Sequence, residues 1–529
     1  MALRHEAEFL YELLNDPFNH QDSKEQVKRL AKKYGLRLYE AENVWSFYKQ
    51  NQGSAKLCRG LPCTLKQNGS EKEVLRKLDD EGLEEIPCLG HCDNGPVAWS
   101  KGKYYHIGNG SAEELVPHIA RPGIKEVHDL KDFLSMRGFE ILINVIKKDR
   151  KDESLQLVKD FNLRGFGGSG FPAYVKWNAV FISRETEKYL LVNAHEGEPG
   201  TFKDRILIES NPYDLIEASL LAAVIVGASN VIIALKHEYL EAESILKGAF
   251  DSSVEYLSGA LGLLEIPKMM IQRVPGYYIT GEESALMEAI EGRRSEPRLR
   301  PPYPAEVGLY GKPTLIDNVE TLLYFLGRLR EFTETGLKGP GEKLYCLSGD
   351  VERPGAYSLP YGISSGILIA QKGGSKVSEL KAVLPGGLSG GILPAGNGDL
   401  KLDFDSVKDA GAGMGTGALI AISKDRCMVD VMRTVESFFE MESCGKCMPC
   451  RYGTKELSKL FRDLSEGTAT IGAIESAKKT ADVMTRGSIC GLGQASAKMF
   501  LDSIKYFSGE MEKHISGDCP SKVCFQGGV

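Results

Sequence analysis

Three cysteines, Cys444, Cys447 and Cys450, occur with the spacing C-x2-C-x2-C, and a fourth, Cys490, follows forty residues later. This pattern is typical of a [4Fe–4S] cluster, because four thiolates hold its irons and a tight loop brings three of them to one side. Zinc is the alternative, although zinc sites more often use two separated cysteine pairs. Since such a cluster carries single electrons, we expect the rest of the chain to exchange electrons with it.

A second set of cysteines lies near the start of the chain, as Cys58-x4-Cys63 and Cys88-x3-Cys92. Two pairs on two loops suit a [2Fe–2S] cluster, in which each iron takes two thiolates. A zinc ion and unliganded thiols are the alternatives. Cys519 and Cys524 belong to neither set, and we expect them to be non-ligand thiols or a labile pair.

A glycine-rich stretch, LRGFGGSGFP, covers residues 163–172. Bare backbone N–H groups in such a loop suit a phosphate or the edge of a flavin ring, and Lys176 follows within reach of either. The stretch is neither a G-x-G-x-x-G fingerprint nor a Walker A loop, so a plain turn is the alternative.

Acidic residues cluster at two places, one of which directly follows a predicted strand. NAHEGEPGTFKDR comes directly after the apolar run Tyr189–Val192, and Gly281-Glu282-Glu283 comes shortly after Tyr278. The carboxyl ends of strands are where α/β sheets bind ligands, and carboxylates there suit ribose hydroxyls. Solvated acidic turns are the alternative for both.

These residues require several elements to position them. The 529 residues are too many for one core and predict three or four domains. Alternating strands and helices predict an α/β sheet over 126–335, and Gly- and Pro-rich turns predict a β-rich module over 343–423. We expect small helices and a small α/β unit before these segments, and helices from Lys424 onward.

Composition excludes some classes of protein. A net charge of −7 argues against a nucleic-acid binder, and 42% hydrophobic with 26% charged residues is ordinary for a soluble globular chain. The first residues do not resemble a signal peptide. The most apolar segment, Ala218–Leu235, is broken by polar residues and Gly227, so we expect a buried helix, a turn and a strand rather than a membrane span.

Together these motifs resemble the FMN- and NADH-binding flavoprotein subunit of complex I and of related soluble NAD-linked hydrogenases and formate dehydrogenases. The resemblance covers about residues 126–515 and also rests on GYYITGEESAL, EPRLRPPYPA, KPTLIDNVETL and LSGDVERPGAY. The preceding residues resemble the separate thioredoxin-like [2Fe–2S] subunit of those systems. The implied multidomain α/β architecture has a thioredoxin-like ferredoxin domain (1–125), a Rossmann-like FMN- and NADH-binding domain (126–340), a ubiquitin-like β-grasp module (341–425) and a helical [4Fe–4S] domain (426–529).

The resemblance also implies the contacts of each cofactor. FMN is expected to contact Gly165, Gly167, Gly168, Lys176, Asn193, Glu196, Tyr278, Gly281, Glu282 and Asn318. The nicotinamide dinucleotide is expected to contact Phe171, Glu198, Glu283, Arg300 and Tyr303. No catalytic acid or base is expected, because hydride transfer between NAD(H) and FMN needs none.

The implied activity is that of an NAD(P)H diaphorase subunit of a cytoplasmic multisubunit redox complex. Single electrons would pass through the [4Fe–4S] cluster to iron–sulfur or catalytic partners, as in a soluble formate dehydrogenase, a hydrogenase or a bifurcating complex. One alternative is the peripheral arm of respiratory complex I, with membrane association only through partner subunits. The other is an electron-transfer scaffold that has lost nucleotide binding.

Three departures from the family motivate the scaffold alternative. Relatives usually have Arg at the position of Phe166 and often Asp at that of His195, and an aromatic residue near the nicotinamide is replaced at Ala179. Loss of a cation and an acid beside the flavin is expected to change its potential.

Overall fold

Apolar runs form the strands of the chain and longer amphipathic or apolar runs form its helices. The structure is a computed structural model that describes residues 5–15, 23–48, 55–78, 83–108, 110–115, 126–127, 129–262, 266–396 and 399–525. It divides into two compact units. The first unit comprises 1–52, 116–196 and 203–343, and the second comprises 53–115, 197–202 and 344–529.

The helices are α1 (His5–Asn15), α2 (Ser23–Lys33), α3 (Leu38–Tyr48), α4 (Leu61–Thr64), α5 (Glu71–Leu78), α6 (Leu130–Ser135), α7 (Glu140–Lys147), α8 (Lys151–Asp160), α9 (Ala173–Phe181), α10 (Lys203–Ser210), α11 (Pro212–Val226), α12 (Leu240–Leu261), α13 (Glu283–Ile290), α14 (Val319–Thr335), α15 (Phe404–Asp409), α16 (Met428–Glu442), α17 (Met448–Glu466), α18 (Ile471–Gly487) and α19 (Gly491–Ile515). The strands are β1 (Ala55–Cys58), β2 (Leu83–Ile86), β3 (Val97–Ser100), β4 (Lys103–Gly108), β5 (Ser111–Glu114), β6 (Tyr189–Ala194), β7 (Asn230–Lys236), β8 (Lys268–Val274), β9 (Thr314–Asn318), β10 (Glu342–Gly349), β11 (Gly355–Pro360), β12 (Leu380–Pro385), β13 (Leu393–Pro394) and β14 (Ala418–Ser423).

A four-stranded parallel sheet with the order β8-β7-β6-β9 forms the centre of the first unit. Every residue of β7 is buried, as expected for a parallel strand covered on both faces. The predicted helix, turn and strand over Ala218–Leu235 are confirmed: α11 ends at Gly227, whose φ of +72° suits a glycine, and β7 follows.

The second unit contains two five-stranded sheets and the helices α16 to α19. One sheet has the order β2-β1-β3-β4-β5 and the other β11-β10-β14-β12-β13. The latter confirms the β-rich segment predicted over 343–423, and the helices confirm the helical segment from Lys424 onward. The chain is therefore a mixed α/β protein, as the sequence predicts.

The finer division into four named domains stays a prediction. Its first boundary, at residue 125, lies outside the described residues. Within the part of the chain that the structure describes, no helix is both long enough and apolar enough to cross a bilayer.

Candidate functional site

The carboxyl ends of two neighbouring strands place Asn193 and Asn318 side by side. The two residues are register partners in β6 and β9, and Asn318 Nδ2 donates a hydrogen bond to the Asn193 carbonyl at 3.3 Å. Asn193 Nδ2 in turn donates to the Gly281 carbonyl at 2.9 Å. These bonds join three of the residues predicted to contact FMN into one continuous chain at this edge of the sheet.

The glycine-rich loop lies against the same edge. Its ends are held by a β-bridge between Arg164 and Pro172 and by a hydrogen bond from Gly165 N to Phe171 O at 2.9 Å. A Cβ at Gly167 would lie 3.1 Å from Asn318 Cβ, so the loop approaches the strand as closely as a glycine allows.

The backbone of this loop is accessible to a ligand at Gly168. A Cβ built there would meet nothing within 4 Å, and its φ of +122° favours glycine. Open backbone beside a cation fits the phosphate end of a nucleotide cofactor such as FMN.

Lys176 supplies that cation, and the acid that holds it was not predicted from the sequence. The Lys176 Nζ lies 3.0 Å from Asp317 Oδ1 and donates to the Ile316 carbonyl, both at the end of β9. Burial lowers the pKa of the ammonium, but the charges of Asp317 and Glu283 outweigh burial and the net pKa is raised. Lys176 is therefore charged at neutral pH, with about a quarter of its side chain exposed.

Arg300 joins the two acids that the sequence placed in different binding sites. Its guanidinium lies 2.6 Å from Glu282 Oε1 and 2.8 Å from Glu283 Oε1. The other oxygen of Glu282 caps α13 by accepting bonds from the backbone of Ser284 and Ala285. Glu282 is thus fixed at both oxygens, while the Glu283 side chain pairs with Arg300 and is 29% exposed.

Two aromatic rings at the predicted nucleotide site are exposed. Phe171 is 45% exposed and Tyr303 is 55% exposed, whereas Trp177 and Phe325 lie in the core of the same unit. Exposed rings suit stacking on nicotinamide or adenine. Tyr278, at the start of the turn that leads to Gly281, is half-buried.

His195 and Glu196 are both buried, with opposite effects on their protonation. Burial, with the positive charge of Lys236, lowers the pKa of His195 to about 3, so its imidazole is neutral at pH 7. Burial, with the negative charge of Asp204, raises the pKa of Glu196 to about 7, although its carboxylate accepts bonds from the backbone of Asp204 and Arg205 at the start of α10.

A buried ion-pair network that was not predicted from the sequence surrounds Asn318. Lys203 Nζ lies 2.6 Å from Asp204 Oδ1, 2.9 Å from Asn318 Oδ1 and 3.3 Å from Glu320 Oε2. Asn318 Nδ2 also donates to Asp204 Oδ2 at 2.6 Å. Lys203 and Asp204 occur in the NAHEGEPGTFKDR motif, but only the fold shows that they meet β9.

Phe166, where the resemblance implies an Arg, has a cation beside it. Its ring is buried, contacts the ring of Tyr324 edge-on at 5.0 Å, and lies 4.6 Å below Lys343 Nζ. Lys343 also pairs with Glu320. The positive charge expected to be lost with the family's Arg is thus present near the loop in another side chain.

Glu198 belongs to the second unit. Its carboxylate accepts hydrogen bonds from Ser389 N at 2.8 Å and Ser389 Oγ at 2.9 Å. Its assignment as a nucleotide contact stays a prediction.

The four cysteines of the predicted [4Fe–4S] site meet at the ends of helices. Cys447 precedes α17, Cys490 precedes α19, and Cys444 follows α16. Burial and the sulfurs of the other three raise the pKa of Cys450 to about 12. Four crowded thiols with two at helix N-termini fit a multinuclear metal centre, whose charge would keep the thiolates ionised.

The four cysteines of the first set are all buried and also cluster. Cys58 ends β1, whose parallel neighbour β2 leads into the loop of Cys88 and Cys92, and these two sulfurs lie 4.0 Å apart. The neighbouring sulfur of Cys63, with burial, raises the pKa of Cys58, and the sulfur of Cys88, with burial, raises the pKa of Cys92. Gly200 N donates to Cys92 Sγ at 3.2 Å, a bond that suits a metal-bound thiolate.

The sheet-edge site and the predicted [4Fe–4S] cysteines lie in segments that match known protein families. Residues 158–325 match the Nuo51 FMN-binding domain, and residues 430–514 match the NADH-ubiquinone oxidoreductase-F iron-sulfur binding region.

Individual relatives agree with these matches. The F 2 subunit of NADH-quinone oxidoreductase from Rhizobium meliloti is 38% identical over 402 residues, which cover 74% of this chain and 96% of that protein. The F subunit of NADH-quinone oxidoreductase from Streptomyces coelicolor is 38% identical over 382 residues, which cover 70% of this chain and 84% of that protein. The crystal structure of an NAD+-reducing [NiFe]-hydrogenase in the H2-reduced state matches with a TM-score of 0.82 and 28% identity, covering 96% of this chain and 93% of that chain.

Proposed function

Since this chain belongs to the family of the NADH-quinone oxidoreductase F subunits, we propose that it is the diaphorase subunit of a multisubunit redox complex and that FMN binds at the carboxyl end of its parallel sheet. FMN, when bound, exchanges two electrons with a nicotinamide and single electrons with an iron–sulfur cluster. The observation that carries the proposal is the continuous contact from Gly167 through Asn318 and Asn193 to Gly281.

Different residues at this edge of the sheet would bind different parts of FMN. The open backbone at Gly168 and the charge of Lys176 suit the phosphate. The amides of Asn193 and Asn318 are held by the strands and by buried ion pairs, so they would position polar groups without reorganising. NADH would bind to Phe171, Glu283, Arg300 and Tyr303. The Glu283 carboxylate, which is paired with Arg300, would accept hydrogen bonds from the ribose hydroxyls.

The two cysteine sets differ in what supports their assignment as iron–sulfur ligands. The family match includes the iron–sulfur binding region, which contains Cys444, Cys447, Cys450 and Cys490. For Cys58, Cys63, Cys88 and Cys92 we propose a [2Fe–2S] cluster within a thioredoxin-like domain, and we propose a ubiquitin-like β-grasp fold for 341–425.

The partner complex that we favour is a cytoplasmic hydrogenase-like or formate dehydrogenase-like assembly. The NAD+-reducing hydrogenase chain matches 96% of this chain in structure, which includes the segment that carries Cys58, Cys63, Cys88 and Cys92, and the two NADH-quinone oxidoreductase relatives match 74% and 70% of it in sequence. The many cysteines placed as ligand sets suit a reducing compartment. Family membership favours nucleotide binding over the scaffold alternative.

An anaerobic titration with NADH and then NADPH, followed by visible absorbance and EPR, tests this function. We expect bleaching of the flavin and reduction of the clusters. The variant Glu283→Gln should require at least tenfold more nucleotide (on the order of 1.4 kcal/mol) and should reduce normally with dithionite. Glu185→Gln, which removes an exposed ion pair with Lys312, is the matched control. Unchanged nucleotide affinity in Glu283→Gln would show that the assignment of this residue is wrong.

A further inference from the structure

A third group of metal-binding side chains lies in the second unit, outside both cysteine sets already described. Cys427, His514, Cys519 and Cys524 each offer one ligand atom, and these four atoms lie within 4.8 Å of one another. Three of the side chains are buried and Cys524 is half-buried. We propose that they bind one Zn²⁺ ion in a closed, tetrahedral Cys3His site.

The distances suit one zinc ion. With Zn–S near 2.3 Å and Zn–N near 2.0 Å, a tetrahedron has edges of about 3.8 Å between two sulfurs and about 3.5 Å between sulfur and nitrogen. Cys427 Sγ lies 3.9 Å from Cys524 Sγ and 3.3 Å from His514 Nε2. A disulfide would need about 2.05 Å between sulfurs, and an iron–sulfur cluster would spread its ligands over several irons.

The histidine is already oriented as a metal ligand. His514 is fully buried, and its Nδ1–H donates to the Glu510 carbonyl at 2.6 Å, one turn earlier in α19. This bond assigns the proton to Nδ1, so the lone pair of Nε2 faces Cys427. The same outer contact to a backbone carbonyl is common for histidines that bind zinc.

The site joins the start of α16 to the end of α19. Cys427 immediately precedes α16, and the Glu510 carboxylate accepts from Met428 N at 2.9 Å and from Lys381 Nζ at 2.7 Å. The segment after α19 turns back through a hydrogen bond from Lys522 N to Cys519 O, which gives a C-x4-C spacing typical of zinc sites. This proposal differs from the sequence expectation that Cys519 and Cys524 are non-ligand thiols or a labile pair.

A site with four protein ligands leaves no position for substrate, so its role is structural. Zinc does not change oxidation state, and the ion would fasten α16 and α19 in the unit that holds the [4Fe–4S] cysteines without carrying electrons.

Metal analysis and zinc K-edge absorption of the full-length chain test the proposal, because flavin and iron do not contribute at that edge. We expect about one zinc per chain, with three sulfur ligands near 2.3 Å and one nitrogen ligand near 2.0 Å. Cys519→Ser and Cys524→Ser should lose the zinc and lower the melting temperature, while iron content and flavin reduction by NADH persist. Cys346→Ala, a buried cysteine of β10 outside all three sets, should keep the zinc.

Several results would overturn the proposal. These are wild-type protein without zinc, a zinc edge with only oxygen and nitrogen ligands, zinc retained in Cys524→Ser, or a disulfide between Cys427 and Cys524 in unreduced protein. If the serine variants do not fold, the zinc K-edge spectrum of the wild-type chain still shows whether zinc is bound by sulfur and nitrogen ligands.

Discussion

Asn318 donates a hydrogen bond to the carbonyl of Asn193, its register partner on the neighbouring strand, and also to the buried carboxylate of Asp204. One amide thus fixes the edge of the parallel sheet to the ion-pair network behind it. Lys203 holds the oxygen of the same amide, so its orientation is determined at both ends. A site built in this way is arranged before a cofactor arrives.

Adding a methyl group at Gly167 should disturb this arrangement. The new Cβ would lie 3.1 Å from Asn318 Cβ, so the loop must move by a few tenths of an ångström. We expect Gly167→Ala to weaken FMN binding by about 1–3 kcal/mol, a roughly 5- to 150-fold rise in Kd measured by flavin fluorescence.

Gly327→Ala is the matched control for that variant. A Cβ at Gly327, within α14, would meet nothing within 4 Å, so FMN binding should not change and stability should rise by about 0.5–1 kcal/mol. Equal FMN affinity in both variants would contradict the close contact between the loop and Asn318.

Glu196 should make the first unit less stable as pH rises. Its pKa is about 7 in the folded chain and 4.5 for an ordinary glutamate, so between these values the folded state binds more protons than the unfolded state. Stability is therefore lost as pH rises through this window, by on the order of 3 kcal/mol.

Glu196→Gln should remove that loss. Comparing melting temperatures at about pH 5 and about pH 8, we expect the wild type to show a larger decrease than the variant. Glu334→Gln, at an exposed site on α14, should behave like the wild type. An identical pH dependence in Glu196→Gln would mean that the carboxyl is ionised throughout.

His195 should make the folded chain less stable as pH falls, which is opposite to the effect of Glu196. Its pKa is lowered from 6.5 to about 3, so below pH 6.5 the unfolded chain takes up a proton that the folded chain does not. The stability present above pH 6.5 is lost on acidification, by about 2 kcal/mol at about pH 5. His195→Asn should reduce the decrease in melting temperature between about pH 6.5 and about pH 5. An unchanged decrease in this variant would assign the effect to other groups.

Local features could be predicted from the sequence well, and distant pairings poorly. The strands β6 and β7 depend on neighbouring residues, and their hydrophobic patterns predicted them correctly. Lys343 above Phe166 and His514 beside Cys427 are separated by many residues, so only the packing of the chain brings them together. Asp317 was missed for a related reason, because its partner Lys176 lies on α9, far from β9 in sequence.

Ser443 should tune the [4Fe–4S] cluster. Its Oγ lies 3.3 Å from Cys450 Sγ, and because a metal-bound thiolate has no proton, the hydroxyl must be the donor once the cluster is bound. Hydrogen bonds to cluster sulfurs offset the negative charge gained on reduction, so Ser443→Ala should make the reduction potential more negative without changing iron content. Potentiometric EPR measures this shift. Ser465→Ala, which removes an exposed hydrogen bond to the Arg462 carbonyl near the end of α17, should leave the potential unaltered. An equal potential in all three proteins would show that the Ser443 hydroxyl does not reach the cluster ligand.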